Sequence, residues 1–156
     1  MAEALVNIGS NLGDRHALIG QAVAAIESAL HTVARMAPIE RSEPWGYEGD
    51  NEYLNLGIAL DVPDDMSPCE LHELLQCIQN DIDSSPHRTP EGGYVDRHID
   101  IDFIALDDAI VDTPQLTLPH PRMHLREFVL RPIMALSPEW RHPILHLTAA
   151  ELLSRL

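Results

Sequence analysis

At 156 residues, 45% of them hydrophobic and 22% charged, the chain fits one compact domain with a single core, read as residues 1–156, rather than two. Ten basic against twenty-five acidic residues leave a net charge of −15 with histidines neutral, which disfavours nonspecific binding to nucleic acid or to an anionic membrane. All ten basic residues are arginines, so a lysine-dependent phosphate loop is excluded, and any phosphate site has to use guanidinium forks, backbone N–H groups or a metal ion.

Ala4 to Ile8 reads as a short buried strand, and Gly9 to Asp14 as a turn ending in a helix cap. From Arg15 to Leu30 the apolar residues Leu18, Ile19, Val23, Ile26 and Leu30 recur at three- and four-residue steps, which predicts a helix with one face on a sheet. Val33 to Glu40 is expected as a second strand, and Ser42 to Asp50 as a loop rich in turn residues. Tyr53 to Val62 alternates, with Tyr53, Asn55, Gly57 and Ala59 on one side and Leu54, Leu56, Ile58 and Leu60 on the other, as a strand requires.

Ser67-Pro68 opens a second helix whose stripe is Leu71, Leu74, Leu75 and Ile78 and which ends near Ile82. Asp83 to Gly93 has two Ser, two Pro, two Gly and no apolar residue, and is expected as a solvent-exposed, mobile loop. His98 to Leu106 is a fourth strand. Thr113 to Arg126 is mostly extended and proline-punctuated, Phe128 to Leu136 is a further apolar segment, and a short helix starts at Thr148. Strand, helix, strand, strand, helix, strand is the order of a split βαβ layout: an α+β fold with a mostly antiparallel sheet and helices on one face.

Cys69 and Cys77 are eight residues apart on the second helix, about 12 Å along its axis, too far for a disulfide, and are expected to be packing thiols. Met1 to Val6 lacks a basic segment leading into an apolar run, and no stretch approaches the roughly 20 apolar residues of a membrane span. The expectation is a soluble, cytoplasmic protein without membrane or nucleic-acid partners.

The segment Asp96-Arg97-His98-Ile99-Asp100-Ile101-Asp102-Phe103 carries the clearest chemistry. In a strand, His98, Asp100 and Asp102 share one face, and carboxylates two residues apart stand about 6.6 Å from each other. Their repulsion, about 2.5 kcal/mol at an effective dielectric near 20, would be relieved by a bound cation. Hard oxygen ligands with open positions suit Mg²⁺ shared with substrate phosphates, although a plain solvent-facing polar strand has the same spacing. Arg97 and Arg126 flank the segments that could line a phosphate cleft, where a lone arginine is otherwise a surface charge. His120 and His124 have a helical spacing that Pro119 and Pro121 oppose, so His120 reads as a phosphate-binding histidine rather than a zinc ligand. Tyr53 and Asn55 share a strand face and, with Phe128, could form a slot for a flat heterocycle, the bland reading being an edge tyrosine beside an aromatic core residue. Trp45 lies in a loop, where a large apolar side chain suits a pocket wall.

Six segments in order resemble the 6-hydroxymethyl-7,8-dihydropterin pyrophosphokinase family: Ile8-Gly9-Ser10-Asn11-Leu12-Gly13, Ser42-Glu43-Pro44-Trp45-Gly46, Tyr53-Leu54-Asn55, Arg97-His98-Ile99-Asp100-Ile101-Asp102, Leu116 to Met123, and Arg126-Glu127-Phe128-Val129-Leu130. The resemblance implies a ferredoxin-like α+β fold and transfer of diphosphate from ATP, the co-substrate, to a pterin alcohol, releasing AMP. It implies two Mg²⁺ ions on Asp100 and Asp102, and a pterin between Tyr53 and Phe128 with Asn55 and the segment of Ser42, Pro44 and Trp45 reading its polar edge. Arg97, His120 and Arg126 would hold ATP phosphates, with Gln76 on the nucleotide side. Arg97, Arg88, Asp100 and Asp102 would be the catalytic set, with no side chain as general base. A monomer or weak dimer is expected.

Three departures stand out. Gln79 replaces an acidic residue usual after the Gln-x-Ile step, which weakens one substrate contact unless Asp81 substitutes. Arg88 is the only match to the two arginines of the usual Gly-Arg-x-Arg loop, and Tyr94 stands where many members have tryptophan. These departures leave a second reading, a weakly active relative that binds pterin or nucleotide as a regulatory module. A third, a metal-dependent phosphohydrolase using His98, Asp100 and Asp102, leaves Tyr53, Asn55 and Trp45 without a role.

Overall fold

The computed structural model describes residues 1–43, 51–83 and 98–156. Strand β1 (Ala2–Ser10) leads into helix α1 (Arg15–Leu30), short strands β2 (Arg35–Met36) and β3 (Glu40–Ser42), the long strand β4 (Tyr53–Val62), helix α2 (Pro68–Ile82) and strand β5 (Asp100–Leu106). The sheet order is β2-β4-β1-β5, with β3 also on β4, and all of these pairings are antiparallel. β4 lies between β1 and the strands that follow α1, and β1 lies between β4 and the strand that follows α2. Two split βαβ units therefore interleave, which is the ferredoxin-like α+β arrangement. A hairpin of β6 (Val111–Asp112) and β7 (Thr117–Leu118), a 3-10 turn at Met123–Leu125, and helices α3 (Glu127–Leu136) and α4 (Ala149–Leu153) complete the chain.

Local chemistry fixes the helix ends. The Asp14 carboxylate accepts the N–H of Ala17 at 3.2 Å, which starts α1 at the expected residue. Ser67 and Glu70 form a capping box at the start of α2, with Pro68 in its first turn, and Thr148 and Glu151 repeat the device at α4.

Even-numbered residues of β1 and β4 (Ala4, Val6, Ile8, Leu54, Leu56, Ile58, Leu60) pack under α1 and α2 around Ile26, Leu71 and Leu75. Helices are expected on one face from the sequence, but the opposite face is covered as well. Leu5, Ala59 and Ile104 on that side are covered by Val129, Leu130 and Ile133 of α3 and by Leu152 of α4. A sheet apolar on both faces needs two covering layers, and the segment Phe128 to Leu136 supplies the second as a helix.

Several boundaries differ from the sequence reading. The single strand expected over Val33 to Glu40 is two pieces: Met36 pairs with Ile58 and Glu40 with Asn55, four residues against three, with Pro38 at the break where it has no N–H to give the ladder. β5 begins at Asp100, not His98. The stretch from Thr113 to Arg126 holds β7 and the 3-10 turn rather than one extended run. Asp83, expected in an exposed loop, is the buried C-cap of α2, while the rest of that segment through Gly93 lies outside the described residues. Cys69 and Cys77 are exposed, not packed. Among the described residues no helix is long and apolar enough to cross a membrane.

Candidate active site

The second face of the sheet is apolar at one end and polar at the other, and register arranges the polar end. Glu40 on β3 pairs with Asn55 on β4, Asn55 with Gly9 on β1, and Gly9 with Asp100 on β5, so these four residues form one row across the sheet. The next row toward α3 contains Gly57, Asn7 and Asp102. Gly9 makes the centre of the first row a floor: a Cβ there would stand 3.4 Å from the Asn55 Oδ1 and the Tyr53 ring. Asn55 is itself fixed, donating from Nδ2 to the Ser42 hydroxyl at 2.8 Å and to the Glu40 carbonyl at 3.4 Å.

Helix α3 brings Phe128 to this floor. Pro132 has no N–H, so it cannot donate to the carbonyl four residues before it, that of Phe128. Asn7 Nδ2 donates to that oxygen instead, at 3.1 Å. A Cβ at Gly57 would overlap the Pro132 ring, so the glycine is what lets α3 sit this close. The Arg126 guanidinium lies 5.8 Å from the Phe128 ring centroid, and its NH1 is 3.8 Å from Asp102 Oδ2.

On the far side of Asp102, a cleft of about 220 Å³ opens between α2 and the β6–β7 hairpin, lined by His72, Gln76, Asp102, Gln115, Thr117 and His120 among others. Burial, and next the Arg126 guanidinium, lower the His120 pKa to about 4, with Asp100 pulling the other way. Its Nδ1 accepts the Arg122 N–H at 3.1 Å, so the neutral ring carries its proton on Nε2 and is a hydrogen-bond donor, not a cation.

Asp100 and Asp102 are half-buried on one strand face, and the second faces this cleft. Among the described residues no three His, Cys, Asp or Glu side chains gather to hold a metal ion. Two carboxylates with the remaining positions open are the donor set that suits Mg²⁺ bound together with phosphate oxygens, so these residues fit that ion better than a closed, all-protein site would.

The sequence pattern of the 7,8-dihydro-6-hydroxymethylpterin-pyrophosphokinase (HPPK) family matches residues 5–138. The chain belongs to this family. It is 34% identical over 145 residues to the 2-amino-4-hydroxy-6-hydroxymethyldihydropteridine pyrophosphokinase of Porphyromonas gingivalis, covering 92% of this chain and 95% of that one. It is 37% identical over 131 residues to the Bacillus subtilis protein of the same name, covering 83% and 75%. A crystal structure of HPPK-DHPS in complex with substrates superposes with a TM-score of 0.72 at 11% identity, over 99% of this chain and 43% of that one. Wild-type Plasmodium falciparum HPPK-DHPS with SDX-DHP gives 0.65 at 13%, over 99% and 44%. The chain spans less than half of either longer protein, and the likeness is one of fold.

Of the residues expected to form an HPPK site, Ser42, Tyr53, Asn55, Asp100, Asp102, Arg126 and Phe128 are gathered at the polar end of this sheet face, with Gln76 and His120 in the adjoining cleft. Pro44, Trp45, Arg88, Tyr94 and Arg97 lie outside the described residues. His98 does not join the two aspartates: it precedes the strand, its backbone N–H and Nδ1 stand 3.0 and 3.3 Å from Asp83 Oδ2, and its ring is beside Gly13.

Gln79 also differs from expectation. It is buried, and its Oε1 accepts the Ile101 N–H at 2.7 Å, so it fastens α2 to β5. Asp81 is exposed on the helix. Asn11 donates to the Asn51 carbonyl at 3.2 Å and Arg15 to that of Glu52 at 2.8 Å, which anchors the chain entering β4. The sequence reading gave no role to Asn7, Asp83 or Arg15, and read Gln79 only as a weakened substrate contact. Asn7 had a signal, a single amide inside the otherwise apolar run from Ala4 to Ile8.

Proposed function

We propose that this protein transfers the diphosphate group of ATP to 6-hydroxymethyl-7,8-dihydropterin, releasing AMP, a step of folate biosynthesis. The observation that carries the reading is the row Asn55, Gly9, Asp100, which sets a heterocycle floor one strand away from the carboxylates. Membership of the HPPK family supports it.

The pterin ring lies on Gly9 between Tyr53 and Phe128, with Asn55 on its edge. The hydroxymethyl oxygen then points along the row toward Asp100 and attacks the β-phosphorus of ATP in line, with AMP as leaving group. Asp100 and Asp102 would hold Mg²⁺, which when bound neutralises phosphate charge and lowers the cost of nucleophile approach. Arg126, held between Asp102 and Phe128, supplies a guanidinium to the phosphates, and neutral His120 donates from Nε2. Arg97 and Arg88 are assigned to the same phosphates, and Ser42, Pro44 and Trp45 to the pterin edge. Gln76 is placed toward the nucleoside. The enzyme positions and neutralises; no covalent protein intermediate is required.

We further read residues 1–156 as one domain acting in the cytoplasm as a monomer or weak dimer. The regulatory alternative rested partly on Gln79 as a lost substrate contact, and its hydrogen bond to Ile101 gives that residue a scaffold role instead. The test is an assay with ATP, Mg²⁺ and the hydroxymethyl-dihydropterin in which AMP is measured. Stoichiometric AMP with the pterin diphosphate is expected. ADP, or phosphate release without pterin, would overturn the reading.

A further inference from the structure

Strand β5 is the outer strand of the sheet on its side, so backbone N–H groups turned away from β1 need acceptors from outside the sheet. The end of α2 supplies them, both to β5 and to the residue leading into it. Gln79 Oε1 accepts the N–H of Ile101 at 2.7 Å, and Asp83 Oδ2 accepts that of His98 at 3.0 Å. Gln79 and Asp83 are four residues apart, about one helical turn, and the Gln79 carbonyl accepts the Asp83 N–H at 2.8 Å. These bonds close a ring that runs from Gln79 to Asp83, across to His98, along the chain to Ile101, and back to Gln79.

Asp100 is carried inside that ring, two residues after His98 and one before Ile101. Ile99 and Ile101, on the opposite strand face, are buried in the core. The span from His98 to Ile101 is therefore pinned at both ends by α2 and from below by two isoleucines, which leaves Asp100 little freedom to shift. Asp83 is itself buried and does not line the cleft beside Asp102, so it acts on the site through the chain that it holds. The same Asp83 oxygen is 3.3 Å from His98 Nδ1, a contact with the ring in addition to the backbone bond. Precision matters here because Mg²⁺ demands near-ideal octahedral geometry, so a carboxylate free to wander binds it less well.

We propose that Asp83 is a positioning residue of the diphosphotransfer site: its hydrogen bond to the His98 N–H completes the ring with Gln79 that fixes where Asp100 presents its carboxylate to Mg²⁺. The inference rests on the diphosphotransfer reading and deepens it with a residue that acts from behind the metal ligands.

The experiment compares wild type, Asp83→Ala, Asp83→Asn and His98→Ala in three measurements. These are amide hydrogen exchange, binding of Mn²⁺ as a paramagnetic stand-in for Mg²⁺ in the presence of α,β-methylene-ATP, and AMP release. In wild type the His98 and Ile101 amides should both be protected. Asp83→Ala should speed exchange at the His98 amide by about tenfold or more while the amides of β1 and β4 stay protected. It should also weaken Mn²⁺ binding and lower kcat, each by about tenfold, with the KM for the pterin within about twofold, as when a group that orients a metal ligand is lost. Asp83→Asn keeps an acceptor oxygen in place and should retain most of both. His98→Ala keeps the backbone N–H and should resemble wild type.

Wild-type Mn²⁺ affinity and kcat in folded Asp83→Ala overturn the proposal even if the melting temperature falls, since that is the behaviour of a residue that only stabilises. Equal losses in Asp83→Ala and Asp83→Asn overturn it by assigning the effect to charge, and a matching loss in His98→Ala overturns it by assigning the effect to the ring. If Asp83→Ala does not fold, Asp83→Ser, whose side chain is too short to span the bond, takes its place with the same expectations. Exchange and Mn²⁺ binding are read without turnover. Absence of AMP from wild type would therefore defeat the reaction assignment, a result distinguishable from failure of the ring.

Discussion

Asn7 on β1 donates its side-chain amide to the backbone carbonyl of Phe128, the oxygen that Pro132 leaves without a helical partner. One residue of a central strand thereby sets the height of an aromatic wall. Asn7→Leu would remove the donor and leave the carbonyl unsatisfied, costing about 1–3 kcal/mol. The expected result is a lower melting temperature and a higher KM for the pterin with little change in the KM for ATP, read from thermal melts and steady-state kinetics.

Gly57 sits beneath the same proline. An alanine there would drive its methyl into the Pro132 ring and push α3 off the sheet. Overpacking of this kind costs about 1–3 kcal/mol. Gly57→Ala should lower the urea midpoint and also weaken pterin binding, because Phe128 rides on the displaced helix. A variant with wild-type stability and wild-type KM would refute the packing account.

The bond from Ile101 to Gln79 ties down the strand residue between the two aspartates. Gln79→Ala should lower kcat by about tenfold and cost about 1–3 kcal/mol, as expected when a buried N–H loses its acceptor. Gln79→Glu retains an acceptor oxygen at the same place and should keep most of the activity. Equal losses in the two variants would mean that Gln79 does something other than hold the strand.

Asp100→Asn and Asp102→Asn each remove a charge from the proposed Mg²⁺ ligands. A fall in kcat on the order of 10²- to 10³-fold is expected, as for loss of a major electrostatic stabiliser. A chelator should abolish AMP formation by wild type, and added Mg²⁺ should restore it. Full activity in the presence of the chelator would rule the ion out.

His120 makes stability depend on pH in a defined direction. Its folded pKa of about 4 lies below the ordinary value of 6.5, so on acidification the unfolded chain takes up the proton first. The stabilisation is complete above pH 6.5 and is lost as pH falls toward 4, on the order of 2 kcal/mol by pH 5. His142, its pKa lowered by burial and by neighbouring His124 and His146, acts with the same sign. Urea melts of wild type and His120→Gln between pH 7 and pH 5 isolate the first effect, since His142 is common to both. The stability difference should shift against wild type as pH falls; parallel curves would show that His120 is not held neutral by the fold.

Much of this is legible in the amino-acid sequence. The bounds of α1, α2 and β4 follow from periodicity, from Asp14 and Ser67 as caps, and from Pro68, because those signals act within a few residues of where they are written. The alternation in Ile99 to Phe103 put both aspartates on one face for the same reason. The break at Pro38 is also written in the chain, but by sequence alone it reads as part of one strand, because a bulge shows only against the partner it fails to match.

What the chain alone determined, then, is which residues are polar, apolar or turn-forming at each step, and so where its helices and strands lie. Only the tertiary structure decided that Glu40, Asn55, Gly9 and Asp100 form one row, that α3 covers the second sheet face, and that Gln79 holds a strand instead of a ligand. The physical reason is range. Propensity and capping are settled between near neighbours, whereas register and packing are settled between residues tens of positions apart, whose meeting no local pattern encodes.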